Sequence, residues 1–340
     1  MSHWLAKAEF DTWTGQWLRR MRRRQNERCI NILAYHHVLP EDHLFTRGTT
    51  LRHDPVEFER QMDYLVEHYR PIGLRELVDA LDRREELRRA VVVTFDDGLA
   101  DSLRIAMPIL RRRRIPMTIF AVTSVIGNAD LQWQHKLRWL VNQGLGEKVR
   151  EAMTIEGFPP SREDESVEEY ARHHYRVDLS EILEILVKAT GTTGAALAGR
   201  MRPYLEPEEM AEVDAELVEF GNHTHTHAIL SALSEADQRE EITRGRDVLR
   251  SIVGYEPLAL AYPFGLKRHY TETSKRLVAE AGHRAALDAR RRINRAAADP
   301  FELSRKPAPC GSQRAFEQMI EDWPDNALLP VPRTSPGGRS

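Results

Sequence analysis

Cysteine is nearly absent from this chain: Cys29 and Cys310 are the only two in 340 residues, and they show no paired spacing. That argues against a disulfide framework and against a cysteine-built zinc site. Also missing is any apolar run close to the roughly 20 residues that span a bilayer. The first ten residues contain Lys7 and Glu9 and no continuous apolar core, so no signal peptide is read there and a cytoplasmic location is expected. An excess of charge of either sign is lacking too. Lys and Arg number 49 against 52 Asp and Glu, a net charge of -3, so nothing draws the chain as a whole toward nucleic acid. What is present is an ordinary soluble composition, 41% hydrophobic and 30% charged, long enough for one large domain with insertions or two small ones.

Strand-like and helix-like patterns alternate. Asn31 to Tyr35 reads as a buried strand running into His36-His37-Val38. Pro55 to Leu81 carries Phe58, Met62, Leu65, Val66, Leu74, Leu77, Val78 and Leu81 at helical spacing. Ala90 to Phe95 is an apolar run of strand length, Leu103 to Leu110 is helical, and Pro116 to Val122 is the next strand. From about 130 to 213 the rhythm breaks into charged, helical stretches without strands, which reads as a helical insertion. It resumes with a strand at Leu217 to Phe220, a helix from Glu235 to Ile252, a strand at Leu258 to Tyr262, a helix from Thr271 to Ala281 and a last strand near Arg284 to Leu287. Alternating strands and helices predict an α/β fold with a parallel sheet.

The ends differ from the middle. Residues 1–28 hold a basic amphipathic helix, with Trp4, Leu5, Phe10, Trp13, Trp17, Leu18 and Met21 followed by Arg19, Arg20 and Arg22 to Arg24. Such a helix either packs on its own domain or lies on an anionic membrane face, a peripheral contact. The main domain is read as 29–325. Residues 326–340, rich in proline and glycine, are expected to be a disordered tail. The run Arg111 to Arg114 reads as a solvated helix end in preference to a phosphate patch.

Two segments carry chemistry. Thr94-Phe95-Asp96-Asp97-Gly98 places adjacent carboxylates at the end of an apolar strand, and His223-Thr224-His225-Thr226-His227 places three imidazoles on alternate positions after another. Groups at the carboxyl ends of parallel strands converge on one face of an α/β fold. If the chain turns helically after Asn222, His223 and His227 share a face and His225 points elsewhere. One carboxylate and two histidines are the ligand set of a metallohydrolase, with a second carboxylate left as a base.

These segments resemble the polysaccharide deacetylases, the carbohydrate esterases that share the nodulation deacetylase homology domain. Thr94 to Gly98 is similar to that family's first motif and His223 to His227 to its second. Ala261-Tyr262-Pro263-Phe264-Gly265 resembles the third, and Asn31 to Val38 resembles a Tyr-His-x-Val segment near the start of many members. The resemblance covers about 31 to 125 and 203 to 307. It implies a distorted (β/α) barrel and a metal-dependent enzyme that hydrolyses N-acetyl groups from an amino sugar, a polysaccharide or its precursor. Asp97, His223 and His227 would bind a divalent metal, most often Zn2+ in this family. Asp96 would be the general base, and the backbone N–H of Phe264 would hold the oxyanion.

The chain departs from the family pattern at two points. Ala261 stands where the third motif usually has an arginine paired with the base, and Arg305 is the candidate replacement. The late histidine that supplies a general acid is missing, since no histidine follows His283. His36 is the candidate for that role; His269, expected to be exposed, is the weaker one. Two rival readings stay open: a non-catalytic barrel that keeps the metal and binds a glycan or partner, and a related hydrolase acting on another C–N or ester bond.

Overall fold

The computed structural model describes residues 27–321 apart from 44 and 163. The expected amphipathic helix at 4–24, with its membrane contact, and the tail from 326 lie outside the described residues. Eleven strands occur in chain order: β1 (Asn31–Tyr35), β2 (His37–Val38), β3 (Arg52–His53), β4 (Arg70–Pro71), β5 (Ala90–Phe95), β6 (Met117–Ala121), β7 (Val218–Asn222), β8 (Ala259–Ala261), β9 (Ala285–Asp288), β10 (Leu303–Ser304) and β11 (Lys306–Pro307). The main sheet runs β10-β9-β8-β7-β6-β5-β1-β11 with β4 beside β5, and its pairings are parallel. β10 and β11 are two halves of one stretch separated by Arg305. The first half pairs with β9 and the second with β1. The stretch therefore stands between β1 and β9 and nearly closes the sheet into the barrel that the family resemblance implies.

Strand sequences explain the layering. All of β1, β5 and β6 is buried, as expected for parallel strands covered on both faces. Successive side chains take opposite faces. Val91, Val93 and Phe95 pack outward with Phe58, Met62 and Leu65 of helix Pro55–His68 and with Ile109 and Leu110 of helix Met107–Arg113. Val92 belongs to a second cluster with Ile32, Phe120, Ala261 and Leu287, which helix Leu74–Asp82 covers at the end where the strands begin. Thr94 and Asp96 continue the Val92 face and so enter the barrel near its opposite end.

Two expectations change in detail. The helical stretch from 55 to 81 is two helices, Pro55–His68 and Leu74–Asp82, with β4 between them. Pro71 lacks an N–H and disfavours helical backbone at Arg70, so the chain extends there and pairs with β5. The strand at 285–288 is not the last. β10 and β11 have only two residues each, too few for any periodicity to register. The arginine run ends helix Met107–Arg113, and Arg112 and Arg113 pair with Glu59 and Asp63 of helix Pro55–His68.

Between β6 and β7 lie six helices: Trp133–Asn142, Gly146–Ile155, Val167–His173, Leu179–Lys188, Gly194–Met201 and Pro207–Ala211. They form a core of their own from Trp133, Leu137, Leu140, Val149, Tyr170 and Leu183, among others, and that core also takes in Leu99, Val122, Ala228 and Ile229. Those four residues follow the carboxyl ends of β5, β6 and β7. The insertion is thus seated on the end of the barrel where the two chemical motifs emerge. Among the described residues no helix is long and apolar enough to cross a membrane.

The barrel interior is tightly filled near Arg305. The Phe120 ring lies under its guanidinium, 5.5 Å from centroid to Cζ. A Cβ added at Gly221, the register partner of Phe120, would sit 2.4 Å from that ring. Gly221→Ala should overpack this layer and lower the unfolding free energy by about 1–3 kcal/mol, read as a lower urea midpoint with an unchanged slope; equal midpoints would show that the layer has room.

Candidate metal and catalytic site

Three loops at the carboxyl ends of β5, β7 and β8 build the site, and each relies on left-handed backbone. Asp97 (φ 70), Thr224 (φ 65), His227 (φ 60) and Phe264 (φ 59) are four of the ten non-glycine residues with positive φ among those described. Such conformations cost of order 1–3 kcal/mol each and persist where surroundings over-determine them. The histidine segment is not helical after Asn222, as the spacing had suggested. Thr224 and His227 reverse the backbone instead, and side chains hold the turn. Asn222 Oδ1 accepts from Thr224 N at 2.9 Å, and Glu241 accepts from both Thr226 N and Thr226 Oγ1 at 2.8 Å. Gly245 allows this approach, since a Cβ there would lie 2.5 Å from Asn222 Oδ1. His223 and His227 still converge. His225 turns away, with its Nδ1 2.9 Å from Thr123 Oγ1.

The structure brings Asp97, His223 and His227 together, all buried, with donor atoms within 4.8 Å of one another. His227 Nε2 and His223 Nε2 are 3.2 Å apart. Asp97 Oδ1 is 3.5 Å from His227 Nε2 and 3.8 Å from His223 Nε2. Ligands bound tetrahedrally at about 2.0–2.1 Å from zinc lie about 3.3–3.4 Å apart, so the three spacings match one shared cation. Asp97 Oδ1 has no hydrogen-bond partner although buried. An unpaired buried acceptor beside two facing imidazole nitrogens is what a cation would satisfy. Burial, aided for His227 by the neighbouring His223, lowers the pKa of both imidazoles; they are therefore neutral at pH 7, the form that binds a metal. His223 Nδ1–H donates to the carbonyl of Ala261 at 2.8 Å, which points Nε2 inward.

Asp96 has a different partner. Arg305 clasps it with two parallel bonds, Nη1 to Oδ1 at 2.6 Å and Nη2 to Oδ2 at 2.8 Å. Arg305 is 2% exposed and is anchored further by Thr94 Oγ1 and the Asp288 carbonyl. Burial alone would raise the Asp96 carboxyl, but Arg305, His223 and the Arg305 hydrogen bonds outweigh it and hold Asp96 well below the usual carboxylate range. Burial raises Asp97 instead; His36 opposes that shift and Asp96 adds to it. Asp96 Oδ2 also faces His223 Nε2 at 3.9 Å and His36 Nε2 at 4.0 Å. His36 keeps 26% of its side chain exposed at the mouth. Burial lowers its pKa, with Asp96 and Asp97 acting in the opposite sense.

Phe264 lies against the same histidine, its ring centroid 5.1 Å from that of His227. No described residue accepts from its backbone N–H. His269 is buried rather than exposed, because its ring packs 5.4 Å from Phe264 and its Nδ1 accepts from Leu266 N.

Sequence reading gave the first residues of the insertion no role at the site. Trp133 Nε1 donates to the His227 carbonyl at 3.1 Å, and the Gln134 amide lies in contact with His227 Nδ1. It also missed the grouping of His37, His43 and Asp101. There both Asp101 oxygens are committed, to His37 Nδ1 at 2.7 Å and Val38 N at 3.2 Å. His43 Nδ1 accepts from Phe45 N. These bonds fasten β2 to the turn after β5.

Comparison with known proteins gives one family. Its sequence model, described as polysaccharide deacetylase, matches residues 83–286. YxkH of Bacillus subtilis (strain 168) is 26% identical over 118 residues, 34% of this chain and 40% of that protein. The peptidoglycan-N-acetylmuramic acid deacetylase PdaC of the same organism is 32% identical over 87 residues, 25% of this chain and 18% of that one. The chain thus spans less than half the length of these curated relatives. In fold it is similar to the Streptococcus pyogenes deacetylase PplD in complex with acetate (TM-score 0.59, 19% identity, covering 86% of this chain and 98% of that one). It is also similar to IcaB from Ammonifex degensii (TM-score 0.56, 20% identity, 86% and 95%).

Breaking the Asp96–Arg305 pair should be costly. Arg305→Leu leaves Asp96 buried beside Asp97 without its cation, for which about 3–5 kcal/mol is expected at pH 7. The sign with pH follows from linkage. In the parent chain the depressed Asp96 pKa contributes stability that is full above the unfolded value near pH 4 and lost as pH falls further. In the variant that carboxyl titrates upward and is neutralised on acidification. The gap between the two proteins, read by denaturant unfolding, should therefore be widest near pH 7 and shrink toward pH 4. A gap independent of pH would show that Arg305 acts through packing alone.

Proposed function

The chain belongs to the polysaccharide deacetylase family, and from that premise we propose that it is a divalent-metal-dependent hydrolase that removes N-acetyl groups from an amino sugar, in a polysaccharide or its precursor, and releases acetate. The observation that carries this reading is the division of labour between two adjacent carboxylates. Asp97 Oδ1 points without a partner at His223 and His227, while Asp96 is held apart by Arg305. A zinc ion fits the donor set of two imidazoles and one carboxylate; when bound it would polarise the amide carbonyl and acidify a water.

The chain's own groups do the rest. Arg305 favours the ionised form of Asp96 and fixes its plane, so that Oδ2 faces the triad and can take a proton from the attacking water. The oxyanion that develops on the acetyl group needs a donor that is already in place. The backbone N–H of Phe264, on a loop fixed by left-handed backbone and by contact with His227, is such a donor. The departing nitrogen must gain a proton. His36, beside Asp96 at the open side of the site, is the group placed to pass one. Attack on the carbonyl carbon forms the C–O bond, cleavage of C–N follows, and the amine and acetate leave. The binding-only reading rested on the missing arginine at 261 and on the missing late histidine. Arg305 stands against Asp96 in place of the first, and His36, 4.0 Å from Asp96, is the candidate for the second.

Asp96→Asn should cut acetate release from an N-acetylated oligosaccharide by 10²-fold or more, the order expected for losing a general base, while zinc content stays at the parent level. His223→Ala and His227→Ala should each lose both. Loss of zinc in Asp96→Asn would move Asp96 into the ligand set and overturn the assignment. Because Arg305 depresses the Asp96 pKa, Arg305→Lys, with one point charge in place of the fork, should move the acid limb of the rate–pH profile to higher pH. An unmoved limb would reject Asp96 as the group that titrates there.

A further inference from the structure

His227 is the ligand that the helical insertion reaches. Its Nε2 faces His223 and Asp97, and its Nδ1 faces the side-chain amide of Gln134, the second residue of helix Trp133–Asn142. As placed, the amide nitrogen of Gln134 meets Nδ1, and Gln134 Oε1 is buried without any partner. These two facts conflict with the chemistry of the ring. A neutral imidazole whose Nε2 lone pair is turned toward a cation carries its proton on Nδ1, and there it can only donate. An NH₂ group facing it sets donor against donor while a buried acceptor goes unused. Exchanging the amide oxygen and nitrogen, which have nearly the same shape, removes both faults at once. We infer that Gln134 Oε1 accepts the Nδ1–H of His227, and that Gln134 is a positioning residue that fixes the tautomer and ring plane of this ligand.

Neighbouring contacts give the inference its reach. Trp133 Nε1 donates to the His227 carbonyl at 3.1 Å, where the backbone is held at φ 60. Consecutive residues of one helix thus hold the backbone and the ring of one ligand. Gln132, just before that helix, acts on the Asp97 carboxyl through its side chain. His223 needs no such help, because the Ala261 carbonyl in the barrel orients it. The pair of histidines is therefore split: one is oriented by the barrel, the other by the insertion. Anything that loosens the first turn of the insertion should loosen the metal with it. Outer partners of metal-bound histidines act in this way, raising ligand basicity and holding the ring in place.

This rests on reading Asp97, His223 and His227 as a zinc site, and the test separates the two. In full-length protein, Zn2+ affinity is measured by competition with a chromophoric chelator, alongside the thermal midpoint of the metal-free form. Gln134→Leu, which is close in size and has no acceptor, should weaken Zn2+ binding about 10–100-fold with a metal-free midpoint near the parent's. Gln134→Glu supplies an anionic acceptor and should bind Zn2+ at least as tightly as the parent. Affinity within about twofold of the parent for Gln134→Leu, on the scale of the losses expected for such partners, would overturn the inference. Weakening by Gln134→Glu would do the same and would show that the amide nitrogen is the working atom. Gln134→Glu also carries the test if the leucine variant does not fold. His227→Ala is the control: unchanged Zn2+ affinity there would reject the metal site itself, whereas loss there with no loss in Gln134→Leu rejects only the role of Gln134.

Discussion

The buried pair between Asp96 and Arg305 is the constraint from which the rest of the site follows. Adjacent carboxylates that are 5% and 7% exposed cannot both stay ionised without cations. At 4 Å, like charges repel by about 4 kcal/mol in the effective dielectric of such sites. Strand alternation separates the two: Asp96 lies on the inner face of β5 with Thr94, and Asp97 on the turn beyond it. Arg305 then neutralises the inner one from within the barrel. It can do so because it sits between β10 and β11, the stretch that joins β9 to β1. Closure of the barrel and ionisation of Asp96 are thus a single structural event. A chain that failed to seat 303–307 would lose both.

Much of this was legible in the sequence, for definite reasons. Val91 to Val93 followed by Asp96 and Asp97 marks a buried parallel strand ending in charge; such runs alternating with helices predict a parallel α/β sheet, and its closure into a barrel followed from the family resemblance. Arg305 could be named only as a candidate, because its partner is 209 positions away and two-residue strands leave no pattern. A helical turn after Asn222 is one way to bring His223 and His227 to one face, because four-residue spacing fits a helix. Left-handed Thr224 and His227 bring the rings together as well, and nothing in a threonine or histidine announces that conformation. Gln132 and Gln134 carried no signal, since glutamines at a helix start look like solvated polar residues. They became informative only when the fold set Gln134 against His227 and Gln132 beside Asp97.

Strain and packing are coupled across the same boundary. The left-handed residues Asp97, Thr224, His227 and Phe264 are unfavourable where they stand, so the loops that carry them would relax if left to themselves. The insertion prevents this. Its core includes Leu99 and Val122 beyond the first motif and Ala228 and Ile229 beyond the second, and Phe264 packs against it. Each fully buried side chain of this kind contributes about 1.5–3 kcal/mol, enough for a few of them to offset one strained residue. The helices over the mouth therefore act as the clamp on loops that the barrel alone would not hold, which accounts for their contacts with ligand-bearing segments from two strands.

Asp96 and Asp97, identical side chains next to each other, stand in opposite surroundings. Their environments push their pKa values apart: Arg305 drives Asp96 down, and burial drives Asp97 up. A raised, unpaired carboxylate gains most from a divalent cation, because binding replaces a costly buried charge with a coordinated one. A depressed carboxylate gains little from a second cation, and its oxygens are already engaged by the guanidinium. A divalent cation would thereby be directed to Asp97 without any difference in residue type, with Asp96 left ionised at its side. With Ala261 in the third segment, Arg305 supplies this asymmetry, since what matters is which carboxylate the guanidinium faces and not the strand that delivers it.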